Sequence, residues 1–325
     1  MKVLISGAGG LIGKALTVEL RSRGHEVHRL VRGGARAARN NGYAATDAAP
    51  AAALGGYAAD AAGGEATLIW QPGAPLAPEC IAGFDAIVHL AGRPVATLWT
   101  AKVKQEILRS RVQGTATLAQ AAAEAFRQSG RPRALVCSSA IGYYGSRGDE
   151  ELVEESEAGI GFLADVCLHW EAAAQPAAMA GVRVAQMRTS LVLSAEGGAL
   201  ARMLPAFRLG LGGKLGSGRQ WWSWVTLADT VRAYALAVED ERVHGPLNLA
   251  APGAVTNAEF TRALGRALHR PTLLGVPAAA LRAVAGEMAE EMLLASQRVR
   301  PKHLLEAGFV FDDPELAPAL KKLLA

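Results

Sequence analysis

The stretch SSAIGYYG, Ser138 to Gly145, follows an apolar run, ALVC, and sets two serines and two tyrosines where a strand should end. A serine hydroxyl that holds a substrate oxygen, beside a phenol that gives or takes a proton, suits hydride transfer on a nicotinamide cofactor. That chemistry normally also needs a lysine. No lysine occurs between Lys104 and Lys214. Ser139 and Tyr143 are therefore candidate catalytic residues in a site that lacks its usual cation.

The residues alone leave both roles open. Ser139 reads either as a hydroxyl that polarises a substrate oxygen or as a buried serine that caps a strand end. Tyr143 reads first as a wall of a cleft and second as a proton donor. Arg147 follows it by four residues, but the two meet only on a helix, and YYGSRGD with its glycines is a poor one.

A second set of residues suits a nucleotide. Gly7, Gly10 and Gly13 form GxxGxxG, with Leu11 and Ile12 between the last two, directly after the strand-like KVLIS and before the helical KALTVELRSRGHE. Glycines there permit a tight turn, a pyrophosphate against backbone amides, and close helix-to-strand packing. Arg32, in LVRGG at the end of the second strand, stands where an NAD-specific protein carries an acid. A guanidinium there suits an adenosine 2′-phosphate and favours NADP(H). HLAG, His89 to Gly92, ends another strand at the same edge, and His89 reads as a packed strand residue. Glu106 and Arg111, in KQEILRSRVQGT, read by themselves as solvated helix charges.

On the substrate side, GSGRQWWSWVTLAD clusters Trp221, Trp222 and Trp224 beside Arg219, flat apolar faces and a forked cation that suit a ring with a phosphate or carboxylate. At least one of these tryptophans should be core. Asp229 reads as the cap of a helix that begins near Leu227.

The elements that must position these groups alternate. KVLIS, a helix, VHRLVRGG, ATLIW, FDAIVHLAG, a helix over about 101–128, RALVCSSA, the helical FLADVCLHWEAAAQPAAMA and VRVAQMRTSLVL predict an α/β fold, a Rossmann-type doubly wound parallel sheet. Residues 1–193 form its nucleotide-binding domain, completed by about 225–250. Residues 194–224 and 251–325 form a smaller C-terminal substrate lobe and module. The Ala/Gly-rich stretch 33–66 reads as a mobile surface excursion with no chemistry.

Composition removes other classes. Half of the 325 residues are hydrophobic, too many for a disordered chain. No apolar run approaches the roughly 20 residues that cross a bilayer, and the N-terminus breaks into glycines before a signal core could form, so the expectation is a cytoplasmic protein. The three cysteines are far apart, which predicts free thiols and no metal site. The net charge of +4 comes from scattered arginines without a basic stripe, so no nucleic-acid partner is expected.

Taken together, GAGGLIG, HLAG, EILRSRVQGT, SSAIGYYG, WEAAA, the long LVLSAEGGALARMLPAFRLGLGGKLGSGRQWWSWV and NLAAPGAVTNAEF resemble the atypical extended short-chain dehydrogenase/reductases. The subgroup is the NAD(P)-dependent epimerase/dehydratase-like one, labelled sugar-nucleotide epimerase or cell-division-inhibitor-like. VPAAALRAVAGEMAEEMLLASQRVRPKHLLEAGFVFDDPELAPAL resembles its C-terminal domain of unknown function. The resemblance implies an NADP(H) cleft in which Arg32, Leu90, Ala91, Glu106, Arg111 and Val192 contact the cofactor, and it allows a homodimer. It also implies that the tyrosine and lysine of the usual YxxxK fall on Leu163 and Cys167, counted from Glu171. Two functions are then expected to compete: an NADP(H)-dependent oxidoreductase or epimerase acting on a small, sugar-nucleotide-like molecule, and a non-catalytic NADP(H)-binding redox sensor or regulatory protein.

Overall fold

The structure, a computed structural model, describes residues 1–33, 57–59 and 66–325. Most of the Ala/Gly-rich stretch lies outside the described residues. β1 (Lys2–Ser6) is an apolar run buried on both faces, as the central strand of a parallel sheet must be. Its side chains alternate. Val3 and Ile5 join a cluster with Leu16 and Leu20 of α1 (Leu11–Ser22), whereas Leu4 joins Leu118 and Ala122 of α2 (Ala101–Ser129).

Beside β1 lie β2 (Glu26–Arg32), β3 (Tyr57–Ala59), β4 (Ala66–Trp70), β5 (Ala86–His89), β6 (Ala134–Ala140), β8 (Arg183–Thr189) and β12 (Gly245–Leu249), in the order β12-β8-β6-β5-β1-β2-β4-β3. Only β3 pairs antiparallel, with Tyr57 opposite Leu68. The order reverses at β1, where Val3 is opposite Val27 on one side and Ala86 on the other. Ligands of such sheets bind at the carboxyl ends of the strands flanking that reversal. Helices cover both faces, α1 with α6 (Leu227–Glu239) on one, and α2 with α3 (Phe162–Ala172) and α4 (Gln175–Met179) on the other. The sheet is thus the doubly wound α/β fold expected.

Two expected elements are broken. The helix expected from Phe162 onwards divides between α3 and α4 because Pro176 has no N–H to continue the ladder. The strand expected over VRVAQMRTSLVL stops at Ser190, whose amide and hydroxyl both donate to the Leu249 carbonyl, 3.0 and 2.8 Å. Beyond it β9 (Leu191–Leu193) leaves the sheet, pairs in parallel with β11 (Trp224–Thr226) and is followed by α5 (Gly198–Arg208).

The remaining segments fold back over the carboxyl edge. β10 (Trp221–Trp222) pairs with β13 (Val255–Thr256), and α7 (Asn257–Ala267) starts in a capping box between Thr256 and Glu259. After α8 (Ala278–Ala285) and a π-helical turn, Ala289–Leu294, β14 (Arg298–Val299) pairs in parallel with β7 (Glu151–Leu152), just beyond the Ser139 loop. No helix among the described residues is long and apolar enough to cross a membrane.

Candidate nucleotide cleft and the polar cluster beside it

The three motif glycines meet different surroundings. At Gly7, with φ +78°, a methyl group would lie 2.8 Å from the Ala91 nitrogen and 2.9 Å from the Leu90 carbonyl carbon, so the turn is pressed against the end of β5. At Gly13 it would lie 2.3 Å from the Gly7 oxygen. Packing therefore demands glycine at both. Gly10 differs: a methyl there would meet only the Gly7 oxygen, at 3.4 Å. It is the N-cap of α1, no side chain caps the helix, and no acid occupies its first turn. An uncapped, exposed helix start is a place for an anion. Leu11 closes one wall, with its methyls 3.3 Å from where side chains would begin on Gly197 and Gly198. Val192 is half-buried nearby, its carbonyl oxygen 3.7 Å from the same point on Gly198.

Arg32 ends β2 exposed and makes no hydrogen bond or ion pair with the described residues. Across β1, His89 is fully buried; its Nδ1 shares a hydrogen bond with Ser6 Oγ, and burial, aided by the Arg111 charge, lowers its pKa to about 4. Glu106 is ion-paired to Arg93, and Arg111 Nη1 donates to the Arg93 carbonyl at 2.9 Å. Both residues thus brace the segment that follows β5.

At the end of β6 the two serines diverge. Ser138 Oγ bonds Tyr234 Oη at 2.8 Å inside the core, while Ser139 Oγ donates to Glu171 Oε1 at 2.6 Å. Glu171 accepts two further bonds from Arg188, each 2.9 Å. Burial works against the Arg188 charge, but its bonds to Glu171 outweigh it and raise the guanidinium pKa. The tyrosines diverge as well. Tyr144 is fully buried, donates to Asn248 Oδ1 at 2.7 Å, and is pushed by burial to a pKa of about 12. Tyr143 is half-buried with its ring centroid 3.5 Å from Arg188 Cζ, and its hydroxyl has no partner among the described residues. Arg147 turns away to Glu150. Leu163 and Cys167 pack beneath Gly142; burial raises the Cys167 thiol to about 12, which makes it a poor nucleophile.

Residues 3–250 match the model of the NAD dependent epimerase/dehydratase family. The chain belongs to this family. It is 42% identical over 320 residues to an epimerase family protein of Mycobacterium bovis, covering 98% of this chain and 96% of that one. To the human epimerase family protein SDR39U1 it is 34% identical over 329 residues, the whole of both chains. A crystal structure of the human protein (isoform 2) with NADPH has a TM-score of 0.79 at 31% identity, covering 100% of this chain and 99% of that one. A UDP-N-acetylglucosamine 4-epimerase from Bacillus cereus shares the fold, with a TM-score of 0.70 at 16% identity, covering 100% of this chain and 98% of that one. Residues 276–323 match a domain of unknown function, DUF1731.

In this epimerase-family chain the tryptophans part company. Trp224 is wholly core, Trp222 packs edge-on against Phe260, and Trp221 donates its indole N–H to Asp149 under the guanidinium of Arg298, 4.7 Å from the ring. The cation on the tryptophan is therefore Arg298; Arg219 is exposed. Asp229 is not the cap of α6. Thr226 is, accepting the Asp229 amide at 3.2 Å, because the Asp229 carboxylate is fully buried and accepts the amides of Asp312 (2.9 Å) and Asp313 (3.0 Å) and Arg232 (2.7 Å).

Arg188 lies outside every motif the sequence shows. Its signal is an arginine within RVAQMRT, a strand of the parallel sheet, since a buried charge needs a partner. A cavity of about 710 Å³ among Asp85, Arg133, Arg183 and Glu239 lies at the opposite, amino edge of the sheet and is remote from all of these groups.

Proposed function

We propose that this epimerase-family protein binds NADP(H) along the carboxyl edge of its sheet and transfers hydride to or from a small hydroxyl- or carbonyl-bearing substrate, sugar nucleotides being the first class to test. The observation that carries the reading is the uncapped start of α1 beside a Gly10 that packing does not require. The amides from Gly7 to Gly13, with Leu11 and Ile12, would hold the pyrophosphate, and Arg32 the 2′-phosphate. Leu90, Ala91, Glu106, Arg111 and Val192 would line the rest. When bound, the nicotinamide supplies or accepts the hydride.

The chain's own residues then handle the proton. Because Ser139 donates to Glu171, its oxygen has only lone pairs left to offer, which suits a substrate hydroxyl better than a carbonyl. Tyr143 has the free phenol of the cluster. It is the proton donor or acceptor in this reading. A second reading, a non-catalytic NADP(H)-binding protein, is favoured by one fact: Leu163 and Cys167 are filled by packing, and neither can donate as tyrosine and lysine do.

Nicotinamide fluorescence, titrated with NADPH and NADH, tests the binding. NADPH should bind about tenfold or more tightly, since a charged hydrogen bond contributes about 1.5–3 kcal/mol. Equal affinities would overturn the NADP(H) assignment. Turnover of a carbonyl and sugar-nucleotide panel, with Tyr143→Phe as control, separates the two readings: binding without turnover of any member favours the non-catalytic one.

A further inference from the structure

Three ligand-type side chains meet where DUF1731 joins the rest of the chain. The parallel pairing of β7 with β14 sets Glu151 opposite Arg298 and Leu152 opposite Val299. The segments that run on from these two strands bring Glu154 and Glu155 to His303, on α9 (Lys302–Glu306). Each of the three offers a ligand atom within 4.8 Å of the other two.

Two of them are already held in place. Glu154 is 4% exposed; its Oε1 accepts the amides of Asn248 (2.9 Å) and His303 (3.1 Å), while its Oε2 is buried with no partner among the described residues. His303 Nδ1 lies 2.9 Å from the Pro246 carbonyl, to which it can only donate, so a neutral ring carries its lone pair on Nε2. That nitrogen is 3.1 Å from Glu155 Oε1. Two acceptors at such a distance need a proton between them or a metal ion shared by both. Ligand atoms around a zinc ion stand about 3.3 Å apart, close to that spacing. A proton on Nε2 answers Glu155 but leaves Glu154 Oε2 bare, which is costly for a buried carboxylate. A divalent cation answers all three. The charge agrees, since two carboxylates face one lysine, Lys302, whose Nζ is 2.6 Å from Glu155 Oε1.

We propose that Glu154, Glu155 and His303 form a site for a transition-metal dication of the zinc class, which ties DUF1731 to the segment after β7. An imidazole among carboxylates suits such an ion better than magnesium or calcium. The ion displaces Lys302 from Glu155, a pair that is solvent-exposed and therefore weak. No cysteine takes part, so the wide cysteine spacing does not bear on it. The site is independent of the NADP(H) reading.

Zinc is titrated by calorimetry into chelator-treated wild type, Glu155→Gln, His303→Gln and Lys302→Ala, with a melting curve for each protein. Wild type should bind one ion per chain and melt higher with zinc. Glu155→Gln and His303→Gln should each weaken binding about tenfold or more, since even outer-shell changes around a metal have about that effect. Lys302→Ala, which removes the competing cation, should bind more tightly. No saturable binding, equal binding by wild type and both ligand variants (an adventitious ion only), or binding by Lys302→Ala no tighter than wild type overturns the proposal. If His303→Gln does not fold, Glu155→Gln, at an exposed position, decides on the same comparison.

Discussion

The Glu291 carboxylate accepts the amides of Phe162 and Leu163, at 2.8 and 2.7 Å, so the start of α3 is capped by a residue 129 positions away from Phe162 in the chain. The same segment pairs Glu287 with Lys104 of α2 at 2.7 Å, and Gln297 Nε2 donates to the carbonyls of Ile141 and Gly145 at 3.1 and 3.0 Å. DUF1731 therefore joins α2, α3 and the Ser139 loop. Glu291→Ala should cost about 1–2 kcal/mol, the scale of a lost cap with its charge, and hasten amide exchange at Phe162 and Leu163. Unchanged exchange there would show that the cap is not formed in solution.

Gly10 and Gly13 should behave oppositely. Gly13→Ala puts a methyl 2.3 Å from the Gly7 oxygen and 2.7 Å from Ala8 Cα, and should destabilise the fold by about 1–3 kcal/mol or more. Gly10→Ala meets only the Gly7 oxygen at 3.4 Å, so its melting temperature should stay near wild type while NADPH affinity falls. Full NADPH affinity in Gly10→Ala would remove the chief support for an anion at α1.

Arg32 is exposed and unpaired among the described residues, so Arg32→Glu should not disturb folding. It should abolish the preference for NADPH over NADH by loss of about 1.5–3 kcal/mol and added repulsion. A preserved preference in paired titrations would place the 2′-phosphate elsewhere.

His89 makes stability depend on pH. Its folded pKa of about 4 lies below the ordinary 6.5, so between these values the unfolded chain binds a proton that the native state refuses. Stability should be level above pH 6.5 and fall towards pH 4, by on the order of 3 kcal/mol from this group. Urea unfolding across that range should show a shallower decline for His89→Gln than for wild type. Parallel declines would mean that His89 is not the group responsible.

Local patterns carried much of this architecture. The glycine loop between β1 and α1 is a contiguous signal, and strands such as β1 and β5 show as short apolar runs. What escaped depends on residues far apart in the chain. Thr226 and Asp229 are both plausible caps until the amides of Asp312 and Asp313 claim the Asp229 carboxylate. Ser190 looks like one more strand residue until Leu249 draws it out of the sheet. The Arg188–Glu171 pair and the Glu291 cap likewise need the folded chain to bring them together, and no spacing rule encodes either.

The burial of Asp229 has a consequence for the order in which the molecule can be completed. During synthesis α6 emerges well before Asp312 and Asp313, so for that interval a carboxylate bound for the interior has Thr226 and Arg232 but not the two amides that finish its shell. When β12 has just been made, the described strands of the eight-stranded sheet exist but the two amides that complete the Asp229 shell do not. The face of the sheet under α6 can therefore complete its hydrogen bonding only once Asp312 and Asp313 have been made.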